Sequence, residues 1–264
     1  MKNIPTLIVL IAGAALYSLQ THGATITLTG TVRDFHYNGT SVPPLAGHPD
    51  FENVVADDRG IVQTALGADG TPVYAHGASS TATVHGETGF NQWYHDAPGV
   101  NLSTPCAITL AETSPGIFSY QNSAFFPIDG QLGGNQGSSH NYSFTYQIHT
   151  TFTYEPGQNF GFTGDDDVWV FINKQRALDL GGVHGAETAS INLDTLGLTT
   201  GGTYDFDFFF AERHTSGSDL MITTSIPLVS SAVPEASRSI LLLGSSLTLL
   251  GLFVGFARRT AITR

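Results

Sequence analysis

Tyr142-Ser143-Phe144-Thr145-Tyr146-Gln147-Ile148-His149-Thr150-Thr151-Phe152-Thr153-Tyr154 places Tyr142, Phe144, Tyr146, Ile148, Phe152 and Tyr154 on even positions. Successive side chains of an extended chain point to opposite faces, so this stretch predicts a strand with one apolar face. The same period recurs in Tyr204, Phe206, Phe208 and Phe210, separated by Asp205 and Asp207, and again in Leu220, Ile222 and Ile226. Each of these strands is expected to turn one face to a core and the other to water. Val168-Trp169-Val170-Phe171-Ile172 has no polar alternation and predicts a central strand covered on both faces. Asn173-Lys174-Gln175 then turns the chain into a partner strand over 176–180, and an earlier strand is expected over 26–35. Residues 37–89, rich in Gly, Pro, His and Ala, read as loops with short strands, and 133–139 as a flexible loop. Strands joined without helical crossovers give antiparallel sheets. The expected fold class is all-β, an antiparallel two-sheet sandwich over residues 25–228.

The two ends differ from this body. Lys2 precedes an apolar run and then His22-Gly23-Ala24, the pattern of a signal peptide over 1–24, cleaved near Ala24 or Thr25. At the other end, residues 239–257 carry no charge and Arg258-Arg259 follow. A helix of that length reaches roughly 28 Å, about a hydrocarbon core. It is expected to span a membrane as a C-terminal helix, with 229–238 as linker and 258–264 as a cytoplasmic tail. The resulting expectation is an exported protein, held at the inner membrane in transit.

Within the body, five basic side chains (Arg33, Arg59, Lys174, Arg176 and Arg213) stand against 21 acidic ones, all of the chain's 22 except Glu235. Nucleic acid is thereby excluded as a partner, since its phosphates demand Lys and Arg. Cations and neutral sugars fit better. The single cysteine, Cys106, allows no intramolecular disulfide and is expected to be buried and inert.

Gly164-Asp165-Asp166-Asp167 runs straight into the buried 168–172 strand. Two carboxylates ~6 Å apart repel by roughly 0.7 kcal/mol in water, and by about four times that near a low-dielectric surface. A hard cation such as calcium, which takes six to eight oxygen ligands, offsets this. Further candidate ligands are Asp179, before Leu180-Gly181-Gly182, and, more distantly, Glu212 and Asp219. A solvated acidic loop at a sheet edge is the plainer reading of the same residues.

These segments, with Leu178-Asp179-Leu180-Gly181-Gly182-Val183-His184 and Phe209-Phe210-Ala211-Glu212-Arg213-His214-Thr215-Ser216-Gly217-Ser218-Asp219-Leu220, resemble the fibro-slime domain. That family is similar to the β-sandwich of anthrax protective antigen and the yeast flocculin lectins. The resemblance implies that Asp165 and Asp166 match an aspartate pair which, in the lectins, is joined by a cis peptide and holds a calcium ion that contacts sugar. Asp167 is expected to matter less, its side chain facing away. The C-terminus, with Val233-Pro234-Glu235, the apolar span and Arg258-Arg259, resembles the PEP-CTERM sorting signal of Gram-negative bacteria. This implies processing by an exosortase-type enzyme and a destination at the cell surface or in the extracellular matrix. The usual fourth motif residue, Pro, is replaced by Ala236.

His184 and His214 lack the i, i+4 partners or cysteine pair of zinc sites, and brace loops on this reading. His184 and Trp93 are the candidate contacts to a ligand. No nucleophile elbow, phosphate loop or zinc-protease helix is present. The expectation is a non-enzymatic, calcium-dependent module that binds exopolysaccharide or another surface glycan. A structural matrix protein in which calcium only braces the fold stands beside it, and a glycan-active enzyme is the remote alternative.

Overall fold

The computed structural model describes residues 23–40, 43–51 and 54–230. The expected signal peptide, apart from its last two residues, lies outside them. So do the sorting motif, the membrane helix and the tail. Among the described residues no helix is long and apolar enough to cross a membrane.

The strands are β1 (Thr25–Phe35), β2 (Ala56–Asp57), β3 (Asn101–Ser114), β4 (Ile117–Asn122), β5 (Phe144–Thr153) and β6 (Asn159–Gly164). They continue with β7 (Asp167–Ile172), β8 (Gln175–Leu180), β9 (Gly182–Val183), β10 (Glu187–Asn192), β11 (Thr203–Glu212) and β12 (Leu220–Thr224). One helical turn, α1 (Glu87–Phe90), sits in the 37–100 segment. Ten strands form a single antiparallel sheet in the order β10-β6-β12-β4-β3-β1-β5-β11-β7-β8, and β2 pairs with β9. The outer strands β8 and β10 approach each other, so the sheet rolls into a nearly closed sandwich.

Its interior takes the even-numbered face of β5, with Phe144, Tyr146, Ile148 and Phe152, together with Val168, Val170 and Ile172 of β7 and Phe206, Phe208 and Phe210 of β11. Trp169 and Phe171 point the other way, into a second core with Phe35, Phe51, Phe90, Trp93 and Phe209. The uninterrupted apolar run of β7 is thus divided between two cores by the strand's period of two. Segment 37–100 supplies the cover. The outer face of β11, expected to meet water, instead buries Asp207, Phe209 and Ala211. The covering segment carries little periodicity of its own, which is why its effect on β11 is not visible in that strand's alternation.

The register sets the two poles of the sandwich. Asp34 of β1 and Glu212 of β11 both lie opposite Phe144, Ala211 lies opposite Asp167, and Gly164 opposite Leu220. One pole therefore gathers the end of β1, the end of β11, the start of β7 and the β6–β7 corner. At the opposite pole the last described residues fold back on β1 and β5. There the Val229 N–H donates to the Thr151 carbonyl (2.9 Å) and the Thr27 N–H to Ser230 Oγ (3.1 Å).

Candidate cation and ligand cleft

The corner between β6 and β7 carries the three aspartates across the first pole. Asp166 adopts a left-handed conformation (φ 53°), which aspartate tolerates better than other non-glycine residues. Among the described residues the cis peptide is Pro43–Pro44, so the Asp165–Asp166 bond is trans. This corrects the arrangement implied by the lectin resemblance. The left-handed residue does the steering, leaving Asp165 and Asp166 on one cleft of about 100 Å³ while Asp167 enters the interior.

Asp165 Oδ1 accepts the Asp219 N–H at 2.6 Å, and burial raises its pKa. Asp166 accepts backbone N–H groups from His184 (3.2 Å) and Arg213 (2.6 Å). Burial, opposed by the Arg213 charge, pushes its pKa up to about 7. Glu212, at the end of β11, is 1% exposed. Its Oε1 accepts the His214 N–H (3.1 Å), while Oε2 is buried without a hydrogen-bond partner. Burial, followed by repulsion from Asp166 and Asp165, holds this carboxyl well above the usual range. Three carboxylates thus converge on one cleft, joined by His184, His214 and Ser216 and rimmed by the exposed Val55.

The nearest cation does not serve that cleft. Arg213 turns its guanidinium inward to Asp167 Oδ2 (Nε 2.6 Å) and to the carbonyls of Thr83 (2.7 Å) and Asp50 (3.2 Å). It also lies 4.6 Å from the centre of the Trp93 ring. Asp167 is fully buried and additionally accepts the Gly182 N–H at 2.7 Å. The cleft therefore offers three carboxyl groups, one with an orphaned buried oxygen, beside the His184 and His214 side chains, and the carboxyl oxygens fit a hard divalent ion such as calcium.

Of the residues singled out from the sequence, Asp165, Asp166, Glu212, His184 and His214 line the cleft. Asp179 does not. Its oxygens accept the Trp169 indole N–H (3.0 Å) and the N–H groups of Gly60 (2.9 Å) and Gly181 (3.1 Å), with Arg176 at 2.9 Å. Asp219 touches the cleft through its backbone contact to Asp165. Trp93 is fully buried and donates to Asp50 Oδ2 (3.0 Å), so it cannot stack on a ligand. Sequence reasoning missed Val55, Val183 and Ser216 as lining residues. Ser216-Gly217-Ser218, a turn following Glu212, was the available signal for the last.

Residues 129–236 match the model of the PA14 domain. The chain is similar to three proteins of Dictyostelium discoideum. It is 49% identical to protein psiQ over 185 residues (64% of this chain, 19% of psiQ) and 46% identical to protein psiR over 196 residues (68% and 20%). It is 37% identical to protein psiC over 246 residues (86% and 46%). The chain thus spans about a fifth of the length of psiQ and psiR. Among solved structures, a PA14 sugar-binding domain from an RTX adhesin aligns at 15% identity with a TM-score of 0.29, covering 44% of this chain and 80% of that one.

Proposed function

We propose that the domain is an exported carbohydrate-binding or adhesion module whose cleft holds calcium between Asp165, Asp166 and Glu212. The ion would offer open positions to glycan hydroxyls. The observation that carries this reading is the convergence of the buried Glu212 carboxyl on one cleft with Asp165 and Asp166, its Oε2 meeting no group closer in character than the Ser218 hydroxyl. Leaving such an oxygen unpaired in a stable fold costs about 1–3 kcal/mol or more, which a bound ion removes. The PA14 match supports the carbohydrate class, and the sorting-type C-terminus supports surface or extracellular display after exosortase processing.

A second reading, calcium as a brace in a matrix protein, is favoured by the size of the cleft. Its ~100 Å³ is below the roughly 300–1,000 Å³ of typical ligand pockets. Calorimetry and a glycan array with and without chelator separate the two. At a hundredfold excess over its dissociation constant, calcium should add about 2.7 kcal/mol of stability. That corresponds to a rise in Tm of roughly 5–10 °C for a domain of this size. Glu212→Gln and Asp166→Asn should each remove the shift. Unchanged melting on chelation sinks the calcium reading, while calcium-dependent melting with an empty array leaves the brace.

A further inference from the structure

A second cluster with different donor chemistry lies behind the cleft wall. The β2–β9 pairing sets Asp57 opposite Gly182, beside the loop that carries His184 into Glu187 at the start of β10. Asp57, His184 and Glu187 each present one ligand atom, two carboxylate oxygens and a ring nitrogen, within 4.8 Å of one another. The imidazole adds an independent sign. His184 Nδ1 lies 2.9 Å from the Gly185 carbonyl oxygen, a contact that requires an N–H. A neutral ring then carries its lone pair on Nε2, and the oxygen facing Nε2 at 3.2 Å is the Leu180 carbonyl, itself an acceptor. Both ring nitrogens face carbonyl oxygens, and the second contact is served by a second proton or by a cation. The arrangement is also that of metal-ligating histidines, which donate the other ring N–H to a carboxylate or backbone carbonyl.

We propose that Asp57, His184 and Glu187 form a site for a divalent ion of the zinc class. One imidazole and two carboxylates, with a position left open, suit a borderline ion rather than calcium. Arg59 bonds Asp57 Oδ1 (2.8 Å) and also Glu187 Oε2, holding the two carboxylates side by side through one oxygen of each. It is the cation with which the metal competes. The site draws on different carboxylates from the cleft but is joined to it mechanically. The His184 N–H holds Asp166, and the His184 side chain lines the cleft, so an ion here fixes the 183–187 wall.

The test uses the full chain in detergent, purified without a histidine tag, stripped with chelator and then saturated with calcium to fill oxygen sites. Cobalt(II) is the probe, read by its visible absorption. We expect one equivalent of cobalt bound, displaced by zinc and not by calcium. His184→Gln and Glu187→Gln should weaken it at least tenfold, and Arg59→Gln should tighten it severalfold. Melting curves verify that each variant is folded. Absence of cobalt uptake, uptake indifferent to His184→Gln, or weakening by Arg59→Gln each overturns the proposal. The last two results would place the ion elsewhere, and the first would mean that a second proton, not a metal, resolves the His184 contacts. Calcium titration of the same protein reads the cleft separately, so the two assignments fail independently.

Discussion

Asp165 and Asp167 are two residues apart and have opposite roles. Asp167 is the buried counter-charge of Arg213, and both are at most 1% exposed. Removing one member of such a pair leaves an uncompensated charge and costs roughly 3–5 kcal/mol. Asp167→Ala should therefore lower Tm steeply with or without calcium, whereas Asp165→Ala should remove calcium binding at modest cost to the fold. Thermal melts of the two variants in calcium and in chelator make the comparison. The sequence reading turned the Asp167 side chain away from the calcium cleft, and it does face away, into the protein, where it serves as the partner of Arg213. Asp34 gives a second residue-level prediction. Burial raises its carboxyl to about 6, against hydrogen bonds from Asn141 and Gly133. The folded state then holds its proton more tightly than the unfolded chain does. The contribution is fully present below about pH 4, and about 3 kcal/mol is lost as pH rises to 6. Asp34→Asn should make the stability profile flatter across pH 4–6 when followed by denaturant titration.

Of the strands visible in the sequence, β5, β11 and β12 show through alternating large side chains, β7 through its unbroken apolar run, β8 through the turn before it, and β1 as an early strand. β3 was missed because its inward positions include Thr104 and Cys106, and Pro105 lies among them, which hides a 14-residue strand behind small residues. β6 alternates Phe160 and Phe162 but sets Gly161 between them and ends at Gly164, and β10 is mostly polar at an edge of the sheet. The cleft was legible in part. The Asp165–Asp166 pair announced itself by charge density, whereas Val55 comes from a segment that pattern alone leaves as loop. The β2–β9 element depends on Gly182, with φ 120°, where an added Cβ would lie 2.5 Å from the Ala56 carbonyl oxygen and from the Asp58 nitrogen. Gly182→Ala should cost upward of 1–3 kcal/mol through strain and overpacking. Hydrogen exchange at Ala56, Asp57 and Val183 should accelerate while β5 and β11 remain protected.

At the level of the molecule, segment 37–100 is part of the sandwich rather than an appendage. Both tryptophans, Trp93 and Trp169, lie in the second core, one from the covering segment and one from β7. Arg213 also bonds to Asp50 and Thr83 of that segment. Unfolding should therefore be a single transition, with tryptophan fluorescence and far-ultraviolet circular dichroism tracing the same curve. Separate midpoints would show the cover detaching first. The register also places the cleft and the Val229–Ser230 exit at opposite ends of the strands. Glu212 lies opposite Phe144 and Val229 bonds to Thr151, so seven residues of β5 at ~3.3 Å each put about 23 Å between them. The ionic atmosphere at physiological salt damps a charge over about 8 Å, so this standoff approaches three screening lengths. A charged surface that met the domain at Ser230 would be largely screened before its field reached the carboxylates, whose affinity for cations is then set by the domain itself.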